Sequence, residues 1–248
     1  MKIKTLCCLL LLLILWGCGK DIEDPIPPEI PQWTEKSYPE SEQESGIDAV
    51  NEDDYSALSW RPNPDEDIEG YRIFRAEDDI ESNYQKIADV NIYSLIGVDT
   101  LYLDIDVRLN RYYYYYLRAY DQAGNQSPTS DTICYQLIQK VDLLSPLESI
   151  QEIKPSFRWY DFSTHASEYV IKLFKLNPKE VIWIYRFSRP NYGDFLQMIQ
   201  YDFNSRARED TLRKGVTYQW CIDAIAAVDN YGKDISGSES FWGYFTRE

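Results

Sequence analysis

Between Gly46 and Glu248 apolar residues recur at every second position in short runs, with clusters of polar turn residues between the runs. Ser56 to Trp60, Gly70 to Arg75 and Tyr112 to Tyr120 alternate in this way, as strands with one buried face must. Asn63-Pro64-Asp65 and Asp121 to Ser127 supply turns, because proline presets φ and Asn, Asp and Gly tolerate positive φ. The same grammar returns in the second half. Phe157 to Trp159, Tyr169 to Leu173 and the set Tyr218, Trp220, Ala224 keep a period of two, with Val181 to Tyr185 as an extra strand and Ser240 to Phe245 as the closing one. Only Tyr192 to Arg208 lacks a clear strand and is expected to be an insertion with a short helix. A period of two excludes a helical second half. Regular strand spacing with such turns predicts an all-β chain of two sandwiches.

Ahead of the strands the pattern changes twice. Lys2 and Lys4 precede an apolar run from Leu6 to Trp16 that ends at Gly17-Cys18, the order of parts in a secretory signal. At about eleven residues the run is well short of the roughly 20 that a membrane-spanning helix needs. Residues 19–54 then hold two basic and twelve acidic side chains, with prolines at 25, 27, 28, 31 and 39. Like charges and fixed φ values predict an extended acidic linker over residues 19–45.

Leu15-Trp16-Gly17-Cys18 resembles the bacterial lipobox, with Trp16 standing where that family has a small residue. The resemblance implies cleavage before Cys18 and lipid attachment to its thiol, with acyl chains worth about 0.8 kcal/mol per buried methylene. Gly19 to Asp24 resembles the acidic tail of surface-exported lipoproteins of the Bacteroidetes type. It implies a lipid-anchored protein of the Gram-negative cell envelope, on the outer membrane, with an outward and a periplasmic orientation both open. Leu58-Ser59-Trp60, Gly70-Tyr71-Arg72-Ile73, Tyr113 to Ala119 and Gly124-Asn125-Gln126-Ser127 resemble strands B, C, F and the FG turn of a fibronectin type III domain, an immunoglobulin-like sandwich. That resemblance covers residues 46–140. Residues 141–248 resemble a divergent second copy, in which Leu212, Gly215 and Tyr218 match the corner before strand F. The two resemblances imply core roles for Trp60, Tyr71, Trp159, Tyr169 and Trp220. Tyr113 and Tyr218 would be corner tyrosines whose hydroxyls bond back to the backbone.

Composition narrows the chemistry. A formal charge of -16 opposes binding to nucleic acid through its phosphates. One His, five Cys and two Met leave few transition-metal ligands or neutral-pH acid–base groups, so no cofactor and no metal is expected. Cys134 and Cys221 fall one in each domain without an intradomain partner, and a bridge between them would need Cα atoms within about 7 Å. Counted from Tyr218, Cys221 is on the outward phase, which favours a free exposed or interface thiol. His165, in Asp161-Phe162-Ser163-Thr164-His165, admits a hydrolase relay on paper, but no GxSxG elbow accompanies it. Asp65, Asp67 and Glu69 superficially resemble a calcium loop whose twelfth position is Ala76 instead of Glu.

The chain is therefore read as a non-enzymatic binding, adhesion or scaffolding module. With Tyr113 and Tyr115 inward, Tyr112, Tyr114 and Tyr116 point outward beside Phe74 on the neighbouring strand. Flat aromatics of this kind anchor protein partners or stack on sugars, so a glycan-binding accessory role is the alternative, and a hydrolase centred on His165 a lesser one. Cross-strand packing is the plainer reading of the same stripe. Trp183, Trp242 and Tyr244 admit the same two readings in the second domain. The expected partners are the membrane, through the lipid, and a protein or glycan.

Overall fold

Alternation along the chain becomes sixteen strands and no helix among the residues that the computed structural model describes, 24–92, 100–163 and 165–248. Cys18 and its signal lie outside them. None of the described helices could cross a membrane, since none is present.

The first sandwich is built from β1 (Ile47–Ala49), β2 (Ser56–Ser59), β3 (Ile68–Glu77), β4 (Gln85–Asn91), β5 (Leu101–Asp104), β6 (Tyr112–Asp121) and β7 (Ile133–Leu137). Strands β1-β2-β5 form one sheet and β4-β3-β6-β7 face them. Three strands against four, antiparallel throughout, is the immunoglobulin-like arrangement that the fibronectin resemblance implies. β6 alternates strictly, its Tyr113, Tyr115, Leu117 and Ala119 sealed against Leu58, Trp60, Tyr71 and Ile73.

The second sandwich comprises β8 (Asp142–Ser145), β9 (Ser149–Ile150), β10 (Ser156–Tyr160), β11 (Glu168–Lys175), β12 (Glu180–Ser188), β13 (Leu196–Gln200), β14 (Val216–Val228), β15 (Asp234–Glu239) and β16 (Gly243–Arg247). Here β13-β10-β8 face β12-β11-β14-β15. Two details differ from the sequence reading. The closing strand is not continuous from Ser240 to Phe245: β15 ends at Glu239, and after a bend β16 starts at Gly243, both pairing with the long β14. The stretch from Tyr192 to Arg208 holds no helix but β13, which pairs along its whole length with β10.

Both sandwiches share one internal plan. Trp60 meets Tyr71 edge-on at 5.2 Å, and Trp159 meets Tyr169 in the same way at 5.1 Å. Tyr113 and Tyr218 each accept a hydrogen bond on the hydroxyl from a backbone N–H five residues upstream, of Arg108 at 3.1 Å and Arg213 at 2.8 Å. Trp220 is fully buried and donates from its indole to the Pro146 carbonyl.

The two domains are joined edge to edge. β7 runs parallel to β15, Gln136 opposite Ser236 and Leu137 opposite Gly237, so the larger sheets of both sandwiches form one continuous surface. From Asp24 on, the acidic segment is extended and lies along the sandwiches as a strap. Asn125 donates to the Asp24 carbonyl, Glu29 and Gln32 bond to the turn at 61–65, and Trp33 bridges to Trp60. Farther on, the strap's acids meet bases of the second sandwich: Glu35 pairs with Lys233, Glu40 with Arg186 and Glu44 with Lys172. Cys134 and Cys221 are both free thiols. Cys221 faces away from its own domain's core yet is buried, opposite Lys172 under this junction.

Candidate functional site

The open face of the first sandwich is set by the register of β3 against β6. Opposite pairs are Phe74 with Tyr116, Arg72 with Arg118 and Gly70 with Tyr120. The outward side chains of β6 therefore read Tyr112, Tyr114, Tyr116, Arg118, Tyr120, all half-buried, spaced about 6.8 Å apart along the strand. Phe74 stacks on Tyr116 at 4.8 Å, and Tyr84, from the β3–β4 loop, tilts onto the same ring at 4.8 Å. Tyr112 and Tyr114 stand opposite Gln136 and Cys134 on β7. Phe74 and Tyr84 thus cover the Tyr116 ring, which leaves it less free to stack on a sugar.

Charge on this face runs against the rest of the molecule. Asp89 on β4 takes both Arg72, at 3.1 Å, and Lys86. Arg72 also lies over the Tyr120 ring at 4.6 Å, and Glu69 sits near that ring's hydroxyl, whose pKa is raised by burial and then by Glu69. Arg118 has no carboxylate partner among the described residues, and its Nε is enclosed without a hydrogen bond. Like charges opposite each other in a sheet destabilise it, so the Arg72–Arg118 pair is a cost that an external carboxylate would relieve. Phe74, Tyr112, Tyr114 and Tyr116 could be placed from the alternation alone. Arg118 and Tyr120 continue the same phase and were legible by extending it, whereas Tyr84 reaches the face from a loop that no periodicity describes.

The other candidates resolve differently. Ser163 donates its hydroxyl to Asp161 at 2.6 Å, and Asp161 is fully buried under Tyr169 at 2.6 Å and Arg189 at 2.9 Å. The His165 ring contacts the Ser163 carbonyl instead of its hydroxyl, so no nucleophile–base–acid relay is assembled. Asp65 accepts from the Glu29 N–H, so the three acids of the calcium-like loop do not converge. Asp67 turns instead toward Asp24 and Asp121, whose carboxylate already holds Asn125 at 2.9 Å. In the second domain Trp183 is core, packed on Phe157 and Tyr201, while Trp242 packs on Phe174 and only Tyr244 is well exposed.

No protein-family profile matches the chain, and no curated protein does. Among solved structures, an Fn3-like protein from Clostridium thermocellum is 21% identical over 45% of this chain and 94% of its own, with a TM-score of 0.32. A beta-1,2-glucanase from Parabacteroides distasonis is 24% identical over 44% of this chain and 12% of its own, with a TM-score of 0.32. A two-domain fibronectin type III segment of chicken tenascin is 13% identical over 88% of this chain and 97% of its own, at 0.29. The assignment of the fold rests on the strand order and the two tyrosine corners.

Proposed function

We propose that the protein is a non-catalytic binding module of the bacterial cell envelope, tethered through lipid on Cys18 and docking a protein partner on the outer face of β3 and β6. The observation that carries the docking surface is Arg118, an unpaired guanidinium set between Tyr116 and Tyr120 in a chain of charge -16. Tyr and Arg are the residues that dominate binding energy at protein interfaces, and a guanidinium selects a carboxylate by paired hydrogen bonds. The partner is therefore a protein surface offering a carboxylate. A polyanion would be repelled by the overall charge within about a Debye length, near 8 Å at physiological salt. Location on the outer membrane follows the lipobox and acidic-tail resemblance of residues 15–24.

A photo-cross-linking amino acid at Tyr114, compared with one at the exposed Tyr231 of the other sandwich, tests the reading in intact Gram-negative cells. A discrete protein adduct at position 114, absent at 231 and lost with Arg118→Ser, is expected. Equal labelling at both positions, or none, overturns the docking face. Mass spectrometry of the N-terminal peptide from the same cells checks the tether, and an unmodified Cys18 removes it.

Glycan binding keeps one supporting observation. Tyr160, Phe162 and Phe195 form an exposed chain of rings on the second sandwich, with centroids 5.6 Å and 5.3 Å apart. A glycan array blank for the wild type eliminates that role.

A further inference from the structure

The seam between the sandwiches buries more acid than base. Asp48 from β1, Asp223 from β14, Asp234 and Glu239 from β15, and Glu44 from the strap converge there, all but Glu44 nearly sealed from solvent. Lys36 of the strap lies between Asp48 at 2.5 Å and Asp234 at 3.1 Å. Lys172 of β11 lies between Glu44 and Asp223, the latter at 2.8 Å. Glu239 has neither lysine. Its carboxyl lies against that of Glu44 instead, and oxygens of Glu44, Asp48 and Glu239 all lie within 4.8 Å of one another. The third ammonium, Lys140 between the domains, is spent on the carbonyls of Val50 at 2.5 Å and Glu239 at 2.6 Å, with Glu52, Asp53 and Asp54 outside it. Tyr135 of β7 donates to Asp234 at 2.7 Å, and Cys221 sits beneath Asp223. Toward the rim Lys233 balances Glu35, while Arg186 is shared by Glu40 and Glu168.

Five carboxyls against two engaged ammoniums cannot all be ionised in a dry seam, because an uncompensated buried charge is far costlier than a neutral acid. Carboxyls crowded this closely penalise one another's charged form. We propose that this seam is a proton-operated clamp: protonated, it holds the strap and both sandwiches as one body, and as its carboxyls ionise it releases the strap and frees the domains to swing. Burial pushes the Asp48 carboxyl up to about 8 against the opposing pull of Lys36, and Asp223 up to about 7 against that of Lys172. Glu239 is raised well above the ordinary range, by burial first and by Asp223 and Glu44 next. Acids raised in this way favour the closed state fully below their free values near 4, and the advantage is lost as pH rises through about 7 to 8. The clamp is closed in mild acid and loosened in mild alkali. Burial pulls Lys36 and Lys172 down, but their carboxylates outweigh it and raise both, so they stay charged across this range; burial lowers Lys140, and loss of its proton at high pH favours the closed state, opposing the release that the carboxyls drive.

Cys221 is the reporter that the fold provides, since it is buried under the seam while Cys134 is half-exposed elsewhere. Labelling of Cys221 by a dipyridyl disulfide is followed in the full chain at pH 6 and pH 8.5, in wild type and in Glu239→Gln, comparing the two proteins at each pH so that thiol ionisation cancels. The two proteins should react alike at pH 6, and at pH 8.5 wild type should react about tenfold faster than Glu239→Gln, whose amide keeps the seam neutral at that position. Equal rates at pH 8.5 overturn the clamp. Should Glu239→Gln fail to fold, the maximum dimension of wild type by small-angle scattering decides: it must grow between pH 6 and 8.5, and a constant value overturns the proposal. Protection that survives at pH 8.5 with calcium and vanishes with chelator at pH 6 also overturns it, since a cation and not protons would then balance the charge.

Discussion

Asp161 shows how one buried carboxylate can organise a loop. It accepts from the Ser163 N–H and hydroxyl, from Tyr169 and from Arg189, whose side chain is only 3% exposed. Removing one member of a buried pair strands the other, which costs about 3–5 kcal/mol, whereas an exposed pair contributes about 0–1 kcal/mol. Arg189→Leu should therefore lower unfolding free energy in urea by about 3–5 kcal/mol. Glu180→Gln, which removes the solvent-screened Lys175–Glu180 contact, should leave it nearly unchanged. Similar losses for both would mean that Asp161 is satisfied without Arg189. In the sequence, Asp161 and Ser163 suggested partners for His165 because they are neighbours. Arg189 was invisible there, since it arrives from beyond β12 and only the strand register places it.

Elements were legible in proportion to how cleanly their inward positions are apolar. β6 places an apolar or aromatic residue at every inward site from Tyr113 to Ala119 and could be read, with its outward stripe, before any coordinates. β13 hides because Gln197 occupies an inward site and is buried, its amide satisfied by the carbonyls of Asn191 and Asp194. A buried amide at the middle of Leu196–Gln200 breaks the alternation that identifies a strand. β3 carries a different constraint at Gly70. A methyl there would collide with the Val90 carbonyl across the β3–β4 ladder and with the hydroxyl of Tyr120, which lies over this glycine. Gly70→Ala should destabilise the first sandwich by about 1–3 kcal/mol and displace Tyr120 from Arg72. Chemical denaturation gives the first quantity, and the shift of the Tyr120 ring resonances gives the second. A neutral substitution would mean that the ladder yields without cost.

At the scale of the whole molecule the strap decides how far the sandwiches stand from whatever holds the N-terminus. Its prolines and charge made an extended course legible, but its docking was not, because Lys172, Arg186 and Lys233 lie more than a hundred residues away in sequence. Acids that would repel one another in a free chain are instead divided among these cations, and Trp33 adds a hydrogen bond from its indole to the Asp131 carbonyl at 2.9 Å. With Asp24 already held by Asn125, six residue steps separate Cys18 from the folded body, a reach of about 20 Å at full extension. A lipid on Cys18 would thus keep the first sandwich close to the bilayer surface. Trp33→Ala removes the apolar anchor and leaves ion pairs, which salt screens. On supported bilayers, neutron reflectometry of the acylated protein should place the wild-type layer against the headgroups and the Trp33→Ala layer farther out. Added salt should widen the difference, because without Trp33 the strap leans more on its ion pairs. An unchanged distance at every salt concentration would mean that the hydrogen bonds of Glu29, Gln32 and Thr34 hold the strap without Trp33, and that the tether is short irrespective of the charges along it.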